Sequence, residues 1–270
     1  MKFSQILIVL FTIVLLSPSS HAHKRWFMPT DFTLSDAETV TVDFTASNNV
    51  FYVDTGMPLA IVTVRAPSGA ELPLLNASEG KRRSSFDMEV DANGTYRISA
   101  GGPPMYFSSY KLPGQAETVR SRGPLAKLKA KLPANATEIE FAESHSLIET
   151  FVTLGAETEP AASTQKGGLS LQAQGSHPNA LYADETAHFV FALDGQPVSG
   201  LTVTVQAEGS RYRDEQEEQH YLTAGDGSVD VVWPHPGRYL LEASMEQTPT
   251  ESEIARRYFS YYLTIEVMAP

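Results

Sequence analysis

The feature that most constrains this fold is an internal duplication: four short patterns recur in the same order in the first and last thirds of the chain. The stretch from Leu34 to Phe44 matches that from Leu181 to Phe191, each with a Glu-Thr pair leading into alternating residues. Gly56 and Pro58 precede Val62 and Val64 just as Gly195 and Pro197 precede Val203 and Val205. Ser85 and Asp87 lead to Gly94 and Tyr96, as Ser228 and Asp230 lead to Gly237 and Tyr239. Tyr106 to Tyr110 closes the first set, and Tyr258 to Tyr262 closes the second. Such an ordered recurrence implies one module written twice.

Each block has the two-residue period of a half-buried strand. Val40, Val42 and Phe44 alternate with Thr39, Thr41 and Asp43, and Ala187, Phe189 and Phe191 alternate with Thr186, His188 and Val190. Turn residues such as Asn93-Gly94, Asp226-Gly227 and Pro236-Gly237 separate the blocks. Short strands between such turns predict an all-β chain of two tandem antiparallel immunoglobulin-like β-sandwich domains. The tyrosine of each Gly-x-Tyr is either a corner whose hydroxyl pins the backbone or a plain core aromatic.

Between the repeats the pattern changes. Leu125, Leu128 and Leu132 share one helical face, with Lys127, Lys129 and Lys131 off it, so a short helix is expected in the connecting region. Residues 137–153 then read as one or two strands completing the first domain. The expected organisation is a signal peptide at 1–22, a first sandwich at 23–156, a linker at 157–168 rich in small and polar residues, and a second sandwich at 169–270.

The leader follows from Lys2, the apolar run from Ile6 to Leu16, and Ser20 and Ala22 at a small-x-small site, so cleavage is placed after Ala22. The run is too short to span a bilayer, and no later stretch is longer, so no membrane span is expected in the mature chain. An exported chain without cysteine points to a periplasm rather than a disulfide-stapled extracellular module. In that compartment the sequons at Asn76, Asn93 and Asn135 carry no meaning. A net charge of -12 argues against nucleic acid as a partner. Phosphate loops, His-Glu-x-x-His helices and Gly-x-Ser-x-Gly elbows are all missing from the sequence, so no catalytic residue is assigned and no enzyme is expected.

The cleavage site itself offers chemistry. A cut after Ala22 gives His23 a free amine beside its ring Nδ1, a bidentate nitrogen arm suited to Cu(II) or Ni(II), and open to Zn or Co with a carboxylate. A cut after Ser20 would instead expose His21-Ala22-His23, a square-planar nitrogen set. Glu143 and His145 are the further metal-ligand candidates, since alternation places them on one strand face together with Glu149. The remaining histidines, His177, His188 and His235, read as loop or surface residues, and the acidic run from Asp214 to His220 as a charged hairpin tip.

The opening Ala22-His23-Lys24-Arg25-Trp26-Phe27-Met28-Pro29 resembles the AH-x-x-W-x-x-P start of the DUF4198 family. Phe191 to Val198, Pro236 to Ala243 and Arg257 to Ser260 resemble its immunoglobulin-like C-terminal region. Lys24 and Arg25 stand where that family more often has an acidic residue. The resemblance implies a periplasmic part in nickel or cobalt uptake. The chain is thus expected to bind a divalent transition metal (Ni, Co, Cu or Zn) at His23 and pass it to an envelope transport protein. The competing expectation is a non-catalytic envelope module docking a protein or glycan through Trp26 and Trp233, and a third is a copper oxidase built on a His23 brace.

Overall fold

The computed structural model describes residues 23–270 apart from 164 and 166, so the leader and His21 lie outside the described residues. The first repeat comprises β1 (Lys24–Pro29), β2 (Glu38–Ser47), β3 (Val62–Arg65), β4 (Ser84–Val90), β5 (Gly94–Ala100), β6 (Met105–Lys111), β7 (Val119–Gly123), helix α1 (Leu125–Ala130) and β8 (Thr137–Leu154). The second comprises β9 (Leu169–Gly175), β10 (Thr186–Leu193), β11 (Thr202–Ala207), β12 (Gln219–Leu222), β13 (Ser228–Val232), β14 (Gly237–Gln247) and β15 (Ile254–Val267). Residues 137–154 form one long strand, and the connecting helix ends at Ala130, two residues before Leu132. Among the described residues, no helix is long and apolar enough to cross a membrane.

The strands make three layers. A central sheet runs β12-β11-β14-β15-β8-β5-β3, with β6 and then β7 added beside the first half of β8. The neighbours along this path are antiparallel except at the middle, where β8 and β15 run parallel and Leu147 pairs with Tyr261; the short segment Thr33–Leu34 also pairs in parallel with the end of β8. A small sheet β1-β2-β4 covers one face and another, β9-β10-β13, covers the opposite face. Ile148, Val152, Leu240 and Tyr262 belong to the core under the first small sheet, while Leu147, Phe151, Leu241 and Tyr261 belong to the core under the second. The parallel pairing, the mirrored strand order and the opposite small sheets describe an approximate twofold axis running along the strands. Two sandwiches therefore share one sheet.

That arrangement explains a break in periodicity. Residues 147–154 of β8 and 261–265 of β15 are all buried, because both faces of these strands are covered. The equivalence of the repeats also departs from the sequence pattern. Gly94 pairs with Leu154 and Gly237 with Val267, so β8, not β6, is the counterpart of β15. Tyr239 follows Tyr96 by 143 positions whereas Val267 follows Leu154 by 113, so the first repeat carries 30 extra residues between them. The expected match of Tyr106–Tyr110 with Tyr258–Tyr262 is thus corrected: β6, β7 and α1 are an insertion, and its aromatic alternation imitates the strand it precedes.

Both tyrosines are corners. The Tyr96 hydroxyl accepts from the backbone N–H of Ala92 at 2.8 Å and of Asp91 at 3.1 Å, and Tyr239 donates to the His235 carbonyl at 2.7 Å. Each follows a glycine of positive φ, +121° at Gly94 and +139° at Gly237, a backbone that side-chain-bearing residues rarely adopt.

Where the repeats meet, the sheet buries a charge pair. Glu149, fully buried, receives Arg97 Nη1 from β5 at 2.8 Å and the Tyr261 hydroxyl from β15 at 2.8 Å. The Arg97 guanidinium also lies over the Phe151 ring at 5.2 Å. Asn179 stitches the same junction, its amide donating to the carbonyls of Phe32 and Phe151. Removing the carboxylate would strand a buried guanidinium and a buried hydroxyl. Glu149→Ala is expected to lose about 3–5 kcal/mol of stability in urea unfolding, against a smaller loss for Glu149→Gln, which keeps an acceptor for both donors.

Candidate functional site

His23 is exposed and stands directly ahead of β1. That strand is fixed at once: Lys24 and Trp26 are buried, and Lys24 pairs with Ser47 of β2. Glu143 and His145 do come together, Nε2 to Oε1 at 3.4 Å. Their surroundings do not suit a cation. Arg257 Nε sits 2.5 Å from the same Glu143 oxygen, and the His145 ring stacks on Phe259 at 4.9 Å. Arg25, two residues after His23, reaches Ser146 Oγ at 3.1 Å, a residue whose side chain lies on the face of β8 opposite to His145. Among the described residues, no group of three or more His, Cys, Asp or Glu is arranged to hold a metal ion. His23 is left with its own donors.

The other histidines are engaged locally. His188 Nδ1 lies 2.7 Å from Asp230 on the surface, and the His177 ring is held by the Thr158 carbonyl at 3.0 Å, its pKa lowered chiefly by burial. Trp26 and Trp233, expected on the surface as docking residues, are 1% and 0% exposed. Trp26 packs edge-on against Phe51, and Trp233 packs against Phe189 and Tyr239. These side chains bury too much apolar area to be left at a turn.

A groove of about 1120 Å³ lies on the central sheet, beyond the edge of the β1-β2-β4 layer. The register builds it strand by strand. On β7, Arg120 and Arg122 stand opposite Ser109 and Phe107 of β6, which in turn face Glu140 and Ala142 of β8. Across the parallel pair come Arg256, Tyr258 and Ser260 of β15, then Glu246 and Ser244 of β14. Phe107 and Tyr258 are 39% and 38% exposed, on a part of the sheet that no partner layer covers. Arg120 and Arg122 are exposed, whereas Arg256 pairs with Glu246 at 3.4 Å.

The inner end of the groove is polar and charged. Lys24 Nζ donates to Gln206 Oε1 at 2.8 Å and is paired with Glu218, so a residue of the acidic run clamps the first strand to the second repeat. Glu242 lies beside the Tyr262 hydroxyl, and burial raises its pKa, opposed by Lys24 and Arg25 and assisted by Glu218. Burial likewise raises Tyr262.

A smaller pocket of about 350 Å³ sits on the other face, lined by Ser99, Gly101, His145, Leu147 and Gln165 among others. The repeat registers make Ser99 the counterpart of Glu242, Gly101 of Ser244, His145 of Tyr258 and Leu147 of Ser260. Groove and pocket are therefore the same place on the two repeats. Only the groove gains walls from the insertion. The pairs Phe107/Ser109 and Arg120/Arg122, two residues apart, were the available sequence signal for it, and only the helix of this region follows from periodicity.

These elements define an all-β protein in which two immunoglobulin-like sandwiches share a sheet and leave an open groove upon it. Its sequence matches the family described as "Domain of unknown function (DUF4198)" over residues 20–247, and the chain belongs to that family. No curated protein matches it. Among solved structures, the D0-D1 domain of intimin shares 13% identity over 90% of this chain and 97% of that one, at a TM-score of 0.23. A DUF4785 family protein from Legionella pneumophila shares 8% over 80% and 50%, at 0.23. The FN1-FN3 domains of chicken CNTN1 share 9% over 90% and 97%, also at 0.23. Superpositions this loose carry no argument, and the fold rests on the strand pairing described above.

The raised Glu242 pKa has a defined sign. The folded state binds the proton more tightly than the unfolded state, so this carboxyl's contribution to stability is present below the ordinary value of 4.5 and is lost as pH rises through the folded value. Unfolding free energies of the wild type minus those of Glu242→Gln are expected to fall progressively from about pH 4.5 upward. A flat difference across that range would show the carboxyl to be free of the burial described.

Proposed function

We propose that this protein is a non-catalytic, exported binding module whose ligand occupies the groove on the shared sheet. One observation carries the reading: the two repeats have equivalent concavities, and only one has been widened by an inserted hairpin with exposed aromatic and arginine side chains. A scaffold needs neither. The exposed rings lie beside serine hydroxyls and carboxylates, the mixture of apolar faces and convergent polar groups that ligand sites present. The rigidity of the underlying sheet, anchored by two cores, suits a site that binds without rearranging.

A second reading has its own support. His23 is exposed at the head of a strand whose next residue is buried, so export cleavage after Ala22 would display an imidazole and an amine on a fixed support. Such a terminus would hold a divalent transition metal (Ni, Co, Cu or Zn) with two of its own nitrogens and leave sites open for an envelope transport partner. Glu143 and His145 add nothing to it while Arg257 holds the carboxylate.

Filling the groove tests the first reading. Wild type and Ser244→Trp would be compared on an array carrying saccharides and peptides of varied charge. At least one ligand class is expected to be retained by the wild type and lost by the variant, while identical profiles would remove the groove from the protein's function. Titration with Cu(II), Ni(II), Co(II) and Zn(II) tests the second. Chelation at His23 predicts loss of at least about tenfold in affinity, both in His23→Ala and when one residue is added ahead of His23. Unchanged affinity in either would exclude the terminal chelate.

A further inference from the structure

We infer that the groove ligand is an anionic oligosaccharide, a chain of sugar units bearing carboxylates of the uronate kind, an inference that rests on the groove reading above. The first ground is charge. The lining carries Lys24, Arg25, Arg120, Arg122 and Arg256 against Glu140, Glu242 and Glu246, so it is net basic on a chain whose net charge is -12. Most of that charge is engaged: Lys24 by Glu218, Arg256 by Glu246, and Arg25 by Ser146 beside Glu242. Arg120 and Arg122 are the exposed pair, brought by the insertion to the outer wall and spaced two residues, about 7 Å, along one strand face. A guanidinium fork in that position accepts a carboxylate through two parallel hydrogen bonds.

The second ground separates a sugar from an acidic peptide. Phe107 and Tyr258 each show more than a third of their surface to solvent. Flat exposed faces suit the C–H surface of a pyranose ring. Glu140 is an exposed carboxylate inside the same groove, and Glu246, paired with Arg256 through one oxygen, keeps a second, so both can accept from hydroxyl donors. Sugar hydroxyls supply donors between the carboxylates of a uronate chain. A run of glutamates has only its backbone N–H groups to offer as donors. The serine hydroxyls at Ser109, Ser144 and Ser244 can each donate and accept, which suits a ligand dense in hydroxyls.

Calorimetric titration of the exported protein with hexagalacturonate, cellohexaose and a hexaglutamate peptide, in the presence of a chelator, tests the assignment. Hexagalacturonate is expected to bind, more weakly at high salt, and to lose at least about tenfold in affinity in Arg120→Ala/Arg122→Ala and several-fold in Phe107→Ala. Cellohexaose and hexaglutamate are expected to bind at least about tenfold more weakly than hexagalacturonate. The Arg120→Lys/Arg122→Lys variant keeps the charge and removes the fork, so an intermediate affinity is expected. Absence of hexagalacturonate binding, equal binding of cellohexaose, tighter binding of hexaglutamate, or indifference to the arginine substitutions would each overturn it. If cellohexaose or hexaglutamate binds as tightly as hexagalacturonate or more tightly, and Ser244→Trp abolishes that binding, the anionic saccharide is excluded while the groove reading stands. If none of the three is held, the anionic saccharide falls, and the array comparison with Ser244→Trp decides the groove separately.

Discussion

The parallel pairing of β8 with β15 is the contact on which the other features depend. Antiparallel association of two sandwich edges would have been open to the same sequences, since each repeat ends in a strand with one free edge. Parallel association turns the second repeat over, so that the two small sheets cover opposite faces of the joined sheet. Both edge strands then become central and lose their solvent faces, which is why residues 147–154 and 261–265 carry buried side chains without alternation. The same turn leaves each repeat's outer strands bare on one side, and those bare faces are the groove and the pocket.

A joint of this kind needs its register fixed, because slippage by one residue would exchange the two cores. Apolar side chains alone discriminate poorly when both faces are apolar. The buried Glu149 supplies discrimination, since only one register lets its carboxylate meet Arg97 on one neighbour and Tyr261 on the other. A slipped register would bury a carboxylate with neither donor, a penalty of several kcal/mol. Thr150 adds a directional contact on the opposite face by donating to the Thr264 carbonyl at 2.9 Å. Polar groups that contribute little net stability in the native arrangement thus raise the free energy of the alternatives.

The all-β class, the strand positions and the duplicated Gly-x-Tyr corners were legible because they rest on local rules: a two-residue period, turn residues, and a glycine that takes positive φ. What escaped was relational. Sequence similarity placed Tyr106–Tyr110 opposite Tyr258–Tyr262, whereas hydrogen-bond register assigns that role to β8, since alternating aromatic strands resemble one another wherever they lie in a sheet. Trp26 and Trp233 showed the same limit, because a tryptophan beside proline and charge looks exposed until the layer above it is known. Glu149 was correctly grouped with Glu143 and His145 on one strand face, yet that face runs from a partly exposed end into a core. One side of a long strand can therefore carry three carboxyl and imidazole groups with three separate fates.

The candidate site was the least legible part because its residues come from six strands and two repeats. Comparing the repeats within the molecule supplies what the linear pattern could not. Positions shared by groove and pocket show what the sandwich requires, and positions that differ show what was added. Gly101 and Leu147 are small or apolar on the pocket side, while Ser244 and Ser260 are hydroxylic on the groove side, and Ser99 is matched by the ionisable Glu242. None of these replacements improves packing. Each places a hydrogen-bonding group on a surface already supported from behind by a core, and the insertion adds its arginines and Phe107 to the same surface. The strand that follows His23 lines this groove through Lys24 and Arg25, which tie it to Gln206 of the second repeat and to Ser146 of β8, so the amino-terminal segment and the groove are adjacent.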